Sequence, residues 1–325
     1  MMLSKFKSLS AVAAIGMAAL VGLAGTASAQ PKSLTLGTAS VGGTYFIYGG
    51  VWATLVTEKT GINVSTQQTQ GPNQNLLLVD SKAIELGMVT MGVALHGWNG
   101  TGWAKGKKYQ NSRALFPMYD TPFHFITTDK SGITSVKQMD GKNVGVGPKA
   151  GTPGTYFPLM FEALGLKPTI RNGGASDMAG QLGDGLLDVF AFAAGVPISA
   201  FSEIEAQRPV KFITFSDAEL KTLQEKIPEL SPSVIPKGTY RTLAEDHKTL
   251  GLYNFAIGHK DLPDDVVYNI VKAVMDNNEA MVKGHSAAKE TVGANAVKNT
   301  FLPFHPGAVK YFKEKGIALN PKTMM

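Results

Sequence analysis

The sequence has 325 residues, of which 44% are hydrophobic and 17% are charged, with a formal net charge of +6 and no cysteine. This hydrophobic content excludes wholesale disorder, and at roughly 100–200 residues per domain the length favours two domains. The absence of cysteine excludes disulfides, cysteine-ligated metal centres and thiol nucleophiles. The modest positive charge does not indicate a nucleic-acid-binding protein.

The N-terminus has the three parts of a secretory signal peptide. Lys5 and Lys7 precede an apolar run at 11–23, and small residues ending at Ala29 form a cleavage site, so residues 1–29 are predicted to be removed. A membrane anchor is the less favoured alternative, because Ala and Gly dilute the hydrophobicity of the run. Cleavage removes 29 residues and two lysines, which leaves 296 residues and a net charge of +4. The mature chain is therefore predicted to be periplasmic.

In chain order, the mature sequence first alternates β-like runs with helical patterns. Strands are predicted at 34–37, 62–67 and 84–89, and the helix after the first strand ends at Gly61. A polar turn at 69–73 opens a second helix. This order is typical of a doubly wound α/β sheet.

The same order recurs about 110 residues later, which predicts an internal repeat. The tetrapeptide Gly-Thr-Tyr-Phe even occurs twice, at 43–46 and at 154–157. Two similar α/β lobes are therefore predicted. The strands, glycine-rich loop and helices of the second unit are expected at 143–146, 147–154, 155–164, 169–171, 177–182 and 189–193.

The remaining segments connect and complete the lobes. Residues 115–129 are predicted to be an extended crossover that contains two prolines, and the proline-rich residues 231–238 are predicted to be irregular. A last strand and two helices are predicted at 252–258, 263–282 and 306–315. Lobe 1 is predicted to be discontinuous, at 30–121 and 252–325, and lobe 2 to span 122–251.

Both glycine-rich loops lie where α/β lobes bind ligands, after the carboxyl end of a strand and before a helix. Residues 40–45 and 150–156 combine glycine, hydroxyl groups and tyrosine, which suit a small anion such as a carboxylate. Either loop alone fits an ordinary tight turn equally well, whereas the matched pair favours binding. The polar turns at 68–75 and 172–176 fit ligand binding and helix capping alike.

Enzymatic chemistry has little support in the sequence. No G-x-S-x-G or P-loop motif occurs, and the six histidines are scattered without metal-ligand spacing. A G-x-G-x-x-A pattern at 145–150 has Ile170 and Arg171 where a dinucleotide site would have an acidic residue. No catalytic residue, metal or cofactor is predicted.

Several motifs follow one another along the mature chain. The first, directly after the first strand, is Thr-Ala-Ser-Val-Gly-Gly-Thr-Tyr at 38–45. The others lie at 71–75, 84–89, 141–147, 151–155, 184–190, 194–197 and 303–308. In this order they resemble the TAXI family of TRAP-transporter solute receptors. The resemblance implies the type II periplasmic binding protein fold, with two doubly wound α/β lobes joined by a hinge. It also implies delivery of a small organic acid, glutamate or glutamine among them, to an ion-gradient-driven membrane permease.

The resemblance further implies ligand contacts from both lobes, with hinges near 119–123 and 233–252. The implied contacts are Ser40, Gly43, Thr44, Tyr45, Gln70, Asn73, Thr90, Thr152, Gly154, Thr155, Gly195 and Pro197. The turn at 71–75 lacks the serine usual in the family, and 90–94 is more apolar than usual. These two departures indicate a less polar acid.

Other functions remain open at this point. A binding component of an ATP-driven (ABC) importer shares the fold and would take a sulfonate or a thiamine-precursor-like ligand. A periplasmic ligand-sensing partner of a membrane kinase is a further alternative. An enzyme related to porphobilinogen deaminase is disfavoured, because that chemistry needs a cysteine-linked cofactor. The protein is expected to be a monomer without bound cofactor.

Overall fold

A computed structural model of the protein describes residues 31–324. The predicted signal peptide and its cleavage site lie outside the described residues. In the described part, no helix is long and apolar enough to cross a membrane. The strands there are β1 (Ser33–Gly37), β2 (Asn63–Gln67), β3 (Leu86–Thr90), β4 (Ser112–Thr128), β5 (Asn143–Gly145), β6 (Thr169–Arg171), β7 (Val189–Ala193), β8 (Val210–Ile213), β9 (Ser231–Ile235) and β10 (His247–His259).

The α-helices lie mainly between these strands, as the alternating pattern predicts. Short 3₁₀ turns complete the connections. The helices are α1 (Thr44–Thr60), α2 (Pro72–Asp80), α3 (Met91–Asn99), α4 (Thr152–Ala163), α5 (Ala175–Gly183), α6 (Ser199–Gln207), α7 (Asp217–Lys226), α8 (Asp264–Met275), α9 (Asn278–Gly284) and α10 (Pro306–Glu314).

The sheet confirms the internal repeat. Its strand order is β2-β1-β3-β10-β4-β7-β5-β6, with β8 on β4 and β9 on β10. The triplets β2-β1-β3 and β6-β5-β7 are both parallel and have the same order, and each is followed by a long antiparallel strand, β10 or β4. This is the predicted pair of doubly wound α/β lobes.

Strand β4 belongs to both lobes. It pairs with β10 as far as Pro122 and with β7 from Phe123 onward. Pro117 is accommodated opposite Phe255, next to a register shift in the β4–β10 ladder, because a bulge tolerates a residue without an N–H group. The division of the lobes at 121/122 and 251/252 remains a prediction, as do the hinges.

Two apolar cores hold the helices on the sheet, and the larger one contains residues of both halves. Trp52 of α1 packs edge-to-face on Phe116 of β4, with ring centroids 5.1 Å apart, inside the larger core. In the second half, Phe201 of α6 packs edge-to-face on Phe190 of β7 at 5.0 Å, inside a smaller core. These contacts hold the helices on the sheet and thereby fix where their N-termini point.

Two predicted elements are wrong. Residues 231–238 are not wholly irregular, because Ser231–Ile235 forms β9. Among the strands of residues 31–324, β9 pairs only with β10 and so tolerates Pro232 at an edge. The single helix predicted at 263–282 is broken between α8 and α9, where the Asn277 side chain donates a hydrogen bond to the Ala273 carbonyl oxygen (2.8 Å). Such local side-chain bonds compete with the helix.

The predicted start of the second-lobe helix is also wrong. Helix α4 begins at Thr152, three residues before the predicted Thr155, with Gly151 as its N-cap. Pro153 lies in the first turn, where a missing N–H group costs nothing because no intrahelical acceptor is available there. This shift changes which residues of the glycine-rich loop face the ligand site.

Candidate ligand-binding site

A cavity opens where the carboxyl ends of β1, β2, β3, β5 and β7 meet. It comprises about 390 Å³ of space between protein atoms, part of it open to solvent. The lining residues are Ala39, Ser40, Gly43, Thr44, Tyr45, Gln70, Gly71, Pro72, Thr90, Thr121, Pro148, Gly151, Thr152, Pro153, Phe192, Ala193, Ala194 and Asn254.

The loop between β1 and α1 is held across the cleft by its hydroxyl groups. The Ser40 hydroxyl oxygen accepts a hydrogen bond from the Ala175 N–H group (3.2 Å), and the Thr44 hydroxyl donates to the Gly195 carbonyl oxygen. Both partners belong to the second half of the sheet. The predicted site residues that line the cavity from this loop are Ser40, Gly43, Thr44 and Tyr45.

Tyr45 is fixed by Asn254, a buried amide on β10. The Tyr45 hydroxyl donates to Asn254 Oδ1 (2.6 Å), while Asn254 Nδ2 donates to the Tyr119 carbonyl oxygen (2.6 Å) and to Thr121 Oγ1 (2.5 Å). Because a carbonyl oxygen only accepts, Tyr119 sets the orientation of the amide. Burial and, to a lesser degree, the neighbouring Tyr48 raise the pKa of Tyr45, so its hydroxyl remains a donor at neutral pH.

Thr90 and Thr152 meet across the cavity. Thr90 ends β3, Thr152 begins α4, and their hydroxyl oxygens are 3.0 Å apart. The two residues are only 1% and 3% exposed. Both are predicted site residues, and the structure brings them together from opposite lobes.

The second helix-opening turn contacts the second glycine-rich loop directly. Gln70 lines the cavity, and its Oε1 accepts a hydrogen bond from the Ala150 N–H group at 3.4 Å. Gly71 has φ of +121°, and a Cβ there would lie 3.1 Å from the Gly151 Cα, so glycine permits this close approach. Asn73 and Thr155 do not line the cavity. The Thr155 hydroxyl donates to the Gly151 carbonyl oxygen (2.9 Å) and lies 3.3 Å from Asn73 Oδ1.

Three other predicted residues also lie outside the lining. Gly154 packs against the Pro148 carbonyl, and Gly195 supplies the acceptor for Thr44. The Pro197 carbonyl oxygen accepts a hydrogen bond from His285 Nε2 (3.2 Å), because His285 Nδ1 accepts one from the Ala287 N–H group. Arg171 is exposed and likewise absent from the lining. Gly154, Gly195 and Pro197 thus lie around the site rather than in its lining, and their role in ligand binding remains a prediction.

Four helices begin at the cavity. The N-caps of α1, α2, α3 and α4 are Gly43, Gly71, Thr90 and Gly151, and none forms a side-chain capping hydrogen bond. By contrast, the Ser216 side chain caps α7. The first-turn N–H groups of a helix lack intrahelical acceptors and carry positive potential. The cavity therefore has an electropositive character without a cationic side chain in its lining.

A known protein family matches most of this chain. Residues 36–316 match the NMT1-like family. The protein belongs to the NMT1-like family. That match covers most of the chain and establishes the NMT1-like family. Membership of the TAXI family remains a prediction.

Three solved structures illustrate what this NMT1-like protein is similar to. Periplasmic binding protein BugD is 14% identical, with 90% of this chain and 99% of that chain covered and a TM-score of 0.56. MatC from Rhodopseudomonas palustris with bound malate is 12% identical, with 79% and 86% covered and a TM-score of 0.53. An ancestral arginine-binding protein bound to arginine is 13% identical, with 79% and 98% covered and a TM-score of 0.50. The shared feature is the type II periplasmic binding protein fold, which confirms the predicted fold class.

Proposed function

We propose that this NMT1-like protein is an extracytoplasmic solute-binding protein that captures a small organic acid between its lobes and delivers it to a TRAP-type membrane permease. The observation that supports it best is the cavity where four helices begin and buried hydroxyl groups from both lobes converge. The first-turn N–H groups of α1, α3 and α4 and the hydroxyls are donors suited to a carboxylate. In α2, Pro72 has no N–H group and the Asn73 N–H group donates to the Ala150 carbonyl oxygen (3.2 Å). The proposal assigns no catalytic residue and no cofactor.

Ligand-driven closure of the lobes is the proposed mechanism. Hydrogen bonds already join the two sides, from the Ser176 N–H group to the Val41 carbonyl (3.2 Å) and from the Ala200 N–H group to the Gly42 carbonyl (3.1 Å). Separation of the lobes would break these bonds and expose the cavity to water. A ligand that contacts both sides binds the closed state better and therefore shifts the equilibrium toward it.

The transporter partner is the finer part of the proposal. The ordered motifs that resemble TAXI receptors support a TRAP permease, and a binding component of an ATP-driven importer is the alternative. The genes beside this one separate the two, since a TRAP receptor is accompanied by permease subunits and an ATP-driven importer by an ATPase. Uptake by cells that carry the receptor and the neighbouring permease, with and without an ion gradient, tests the same distinction directly.

A thermal-shift screen of the mature chain, residues 30–325, tests ligand capture. The panel contains small monocarboxylates, dicarboxylates and amino acids, with sugars and simple cations as controls. A true ligand at about 100 times its Kd stabilises the folded state by about 2.7 kcal/mol. Stabilisation by an organic acid supports the proposal, whereas a response to sugars or cations alone overturns it.

A further inference from the structure

The lining of the cavity contains no charged side chain. Among residues 31–324, the residues that line it include no lysine, arginine, histidine, aspartate or glutamate. Two charged residues are sequence neighbours of lining residues but do not line the cavity themselves. The Asp120 carboxylate accepts a hydrogen bond from the Ser233 hydroxyl, and Lys149 is exposed. An ammonium group in the cavity would therefore lack a carboxylate partner, and a second carboxylate would lack a cationic one.

The hydrogen-bond balance of the cavity favours an acceptor. Thr90 and Thr152 share one hydrogen bond, so one of their two hydroxyl hydrogens has no acceptor among the described residues. The Ser40 and Thr121 hydroxyl oxygens each accept a bond, from Ala175 and Asn254, and neither has an acceptor for its own hydrogen within 31–324. The cavity thus offers several buried donors to one ligand group that accepts hydrogen bonds.

Two acceptors at or beside the cavity already accept a hydrogen bond. Asn254 Oδ1 accepts from the Tyr45 hydroxyl, and the Gly195 carbonyl oxygen accepts from the Thr44 hydroxyl. An ammonium group needs up to three acceptors, and the residues that line the cavity offer it only neutral oxygens and no carboxylate. A carboxylate has the opposite requirement and matches the free donors.

The rest of the lining is apolar. Phe192 is 5% exposed and lies beside Ala193 and Ala194 at the end of β7, and proline rings at 148 and 153 face the same cavity. Apolar walls receive a hydrocarbon body without loss of hydrogen bonds, whereas a buried charge there would remain unpaired.

We infer that the ligand is a monocarboxylate with an otherwise uncharged body, without an α-ammonium group and without a second carboxylate. This inference rests on the proposed function, because it names the substrate class of the same cavity. One carboxylate satisfies the free donors, and the remaining atoms lie against the apolar wall. Amino acids and dicarboxylates would each bury a charge that has no partner.

Isothermal titration of the mature chain with matched acids tests the inference. The first series differs only at carbon 2 of propanoate and comprises 2-methylpropanoate, lactate, alanine and methylmalonate. A second series on a longer frame comprises 2-hydroxy-4-methylpentanoate, leucine and isobutylmalonate. The methyl and hydroxyl compounds are expected to bind at least about tenfold more tightly than the ammonium and dicarboxylate compounds of the same frame. The neutral 2-methylpropanamide, which lacks the carboxylate, should bind more weakly than 2-methylpropanoate by a similar factor.

Each outcome bears on the inference separately from the proposed function. If an amino acid or a dicarboxylate binds as tightly as its uncharged-body counterpart, or is the only acid to stabilise the protein in the thermal-shift panel, the inference is wrong and organic-acid capture stands. Equal affinity for 2-methylpropanamide and 2-methylpropanoate also overturns it. If no organic acid binds at all, the proposed function fails, and the inference with it.

Discussion

The two strand-to-helix loops at the cavity resemble each other in sequence but place their residues differently. The tetrapeptide Gly-Thr-Tyr-Phe starts at Gly43 in one loop and at Gly154 in the other. Gly43 is the N-cap of α1, whereas the N-cap of α4 is Gly151, so the second tetrapeptide lies inside the first turns of its helix. The structural counterpart of Thr44 is therefore Thr152, the first residue of α4.

The tyrosines of the two tetrapeptides have different partners as a result. Tyr45 lines the cavity and bonds to Asn254, whereas the Tyr156 hydroxyl donates to Glu229 Oε1 at 3.1 Å and lies outside the lining. Glu229 also pairs with His96 Nε2 at 2.9 Å. Position relative to the start of the helix, rather than local similarity, determines which residues reach the ligand site.

The largest loss of ligand affinity is expected from a negative charge introduced into the loop between β1 and α1. Ser40→Asp places a carboxylate beside the bound carboxylate in a poorly solvated cavity, and affinity for the acid found in the screen should fall by about a hundredfold or more. Ser40→Asn is the matched control, because it is similar in size and still accepts the Ala175 N–H bond without a charge. Titration calorimetry measures both. Equal losses in the two variants would show that charge repulsion is not responsible.

A smaller effect distinguishes the two threonines of the second loop. Thr152→Val removes a hydroxyl that lines the cavity, and affinity should fall by about tenfold or more, since hydrogen bonds to charged groups contribute about 1.5–3 kcal/mol. Thr155→Val has the same shape change outside the lining and should weaken binding less. Urea unfolding of both variants controls for stability. A larger loss of affinity in Thr155→Val would show that the functional counterpart of Thr44 is Thr155, its match in the tetrapeptide, and not Thr152, its match at the helix start.

The smallest expected effect is on the pH dependence of the unfolding free energy, through Glu229, the hydrogen-bond partner of Tyr156. Burial raises the pKa of Glu229, but hydrogen bonds from His96 and Tyr156 outweigh it, so the pKa is below the ordinary value. A lowered pKa in the folded state stabilises the protein above the unfolded value of about 4.3, and this contribution is lost as the pH falls through the folded value. Glu229→Gln should therefore lose less unfolding free energy than the parent protein between about pH 5 and about pH 3.

Urea unfolding at several pH values measures this difference. The control is Glu225→Gln, a change at an exposed glutamate four residues earlier, which should follow the parent protein. A pH dependence in Glu229→Gln identical to that of the parent would contradict the assignment.

Much of the fold follows from local signals. Strands β6 and β7 have the predicted bounds, and α1 ends before Gly61, whose φ of +74° suits glycine. The errors occur where distant or competing partners decide. Strand β9 forms because β10 offers it an edge, and the helix predicted at 263–282 breaks where Asn277 bonds to the backbone.

The candidate site shows the same division. Ser40, Thr44 and Thr152 lie in the two glycine-rich loops predicted to bind a ligand, Thr90 was implied by the family resemblance, and all four line the cavity. Asn254 was not predicted as a site residue, although a lone amide within the apolar strand predicted at 252–258 was a usable signal. Its three hydrogen bonds join residues more than 100 positions apart in sequence, which no local pattern contains.

The sequence by itself determined the class of the protein: alternating strands and helices without cysteine, repeated once, with glycine and hydroxyl groups after the strands. Hydrophobic periodicity and turn chemistry act over a few residues, so these features are readable locally. The tertiary structure alone decided which donors lack acceptors and that the cavity lining carries no charged side chain. Those properties depend on residues from both lobes meeting in space, and they narrow an organic acid to a monocarboxylate with an uncharged body in our proposal.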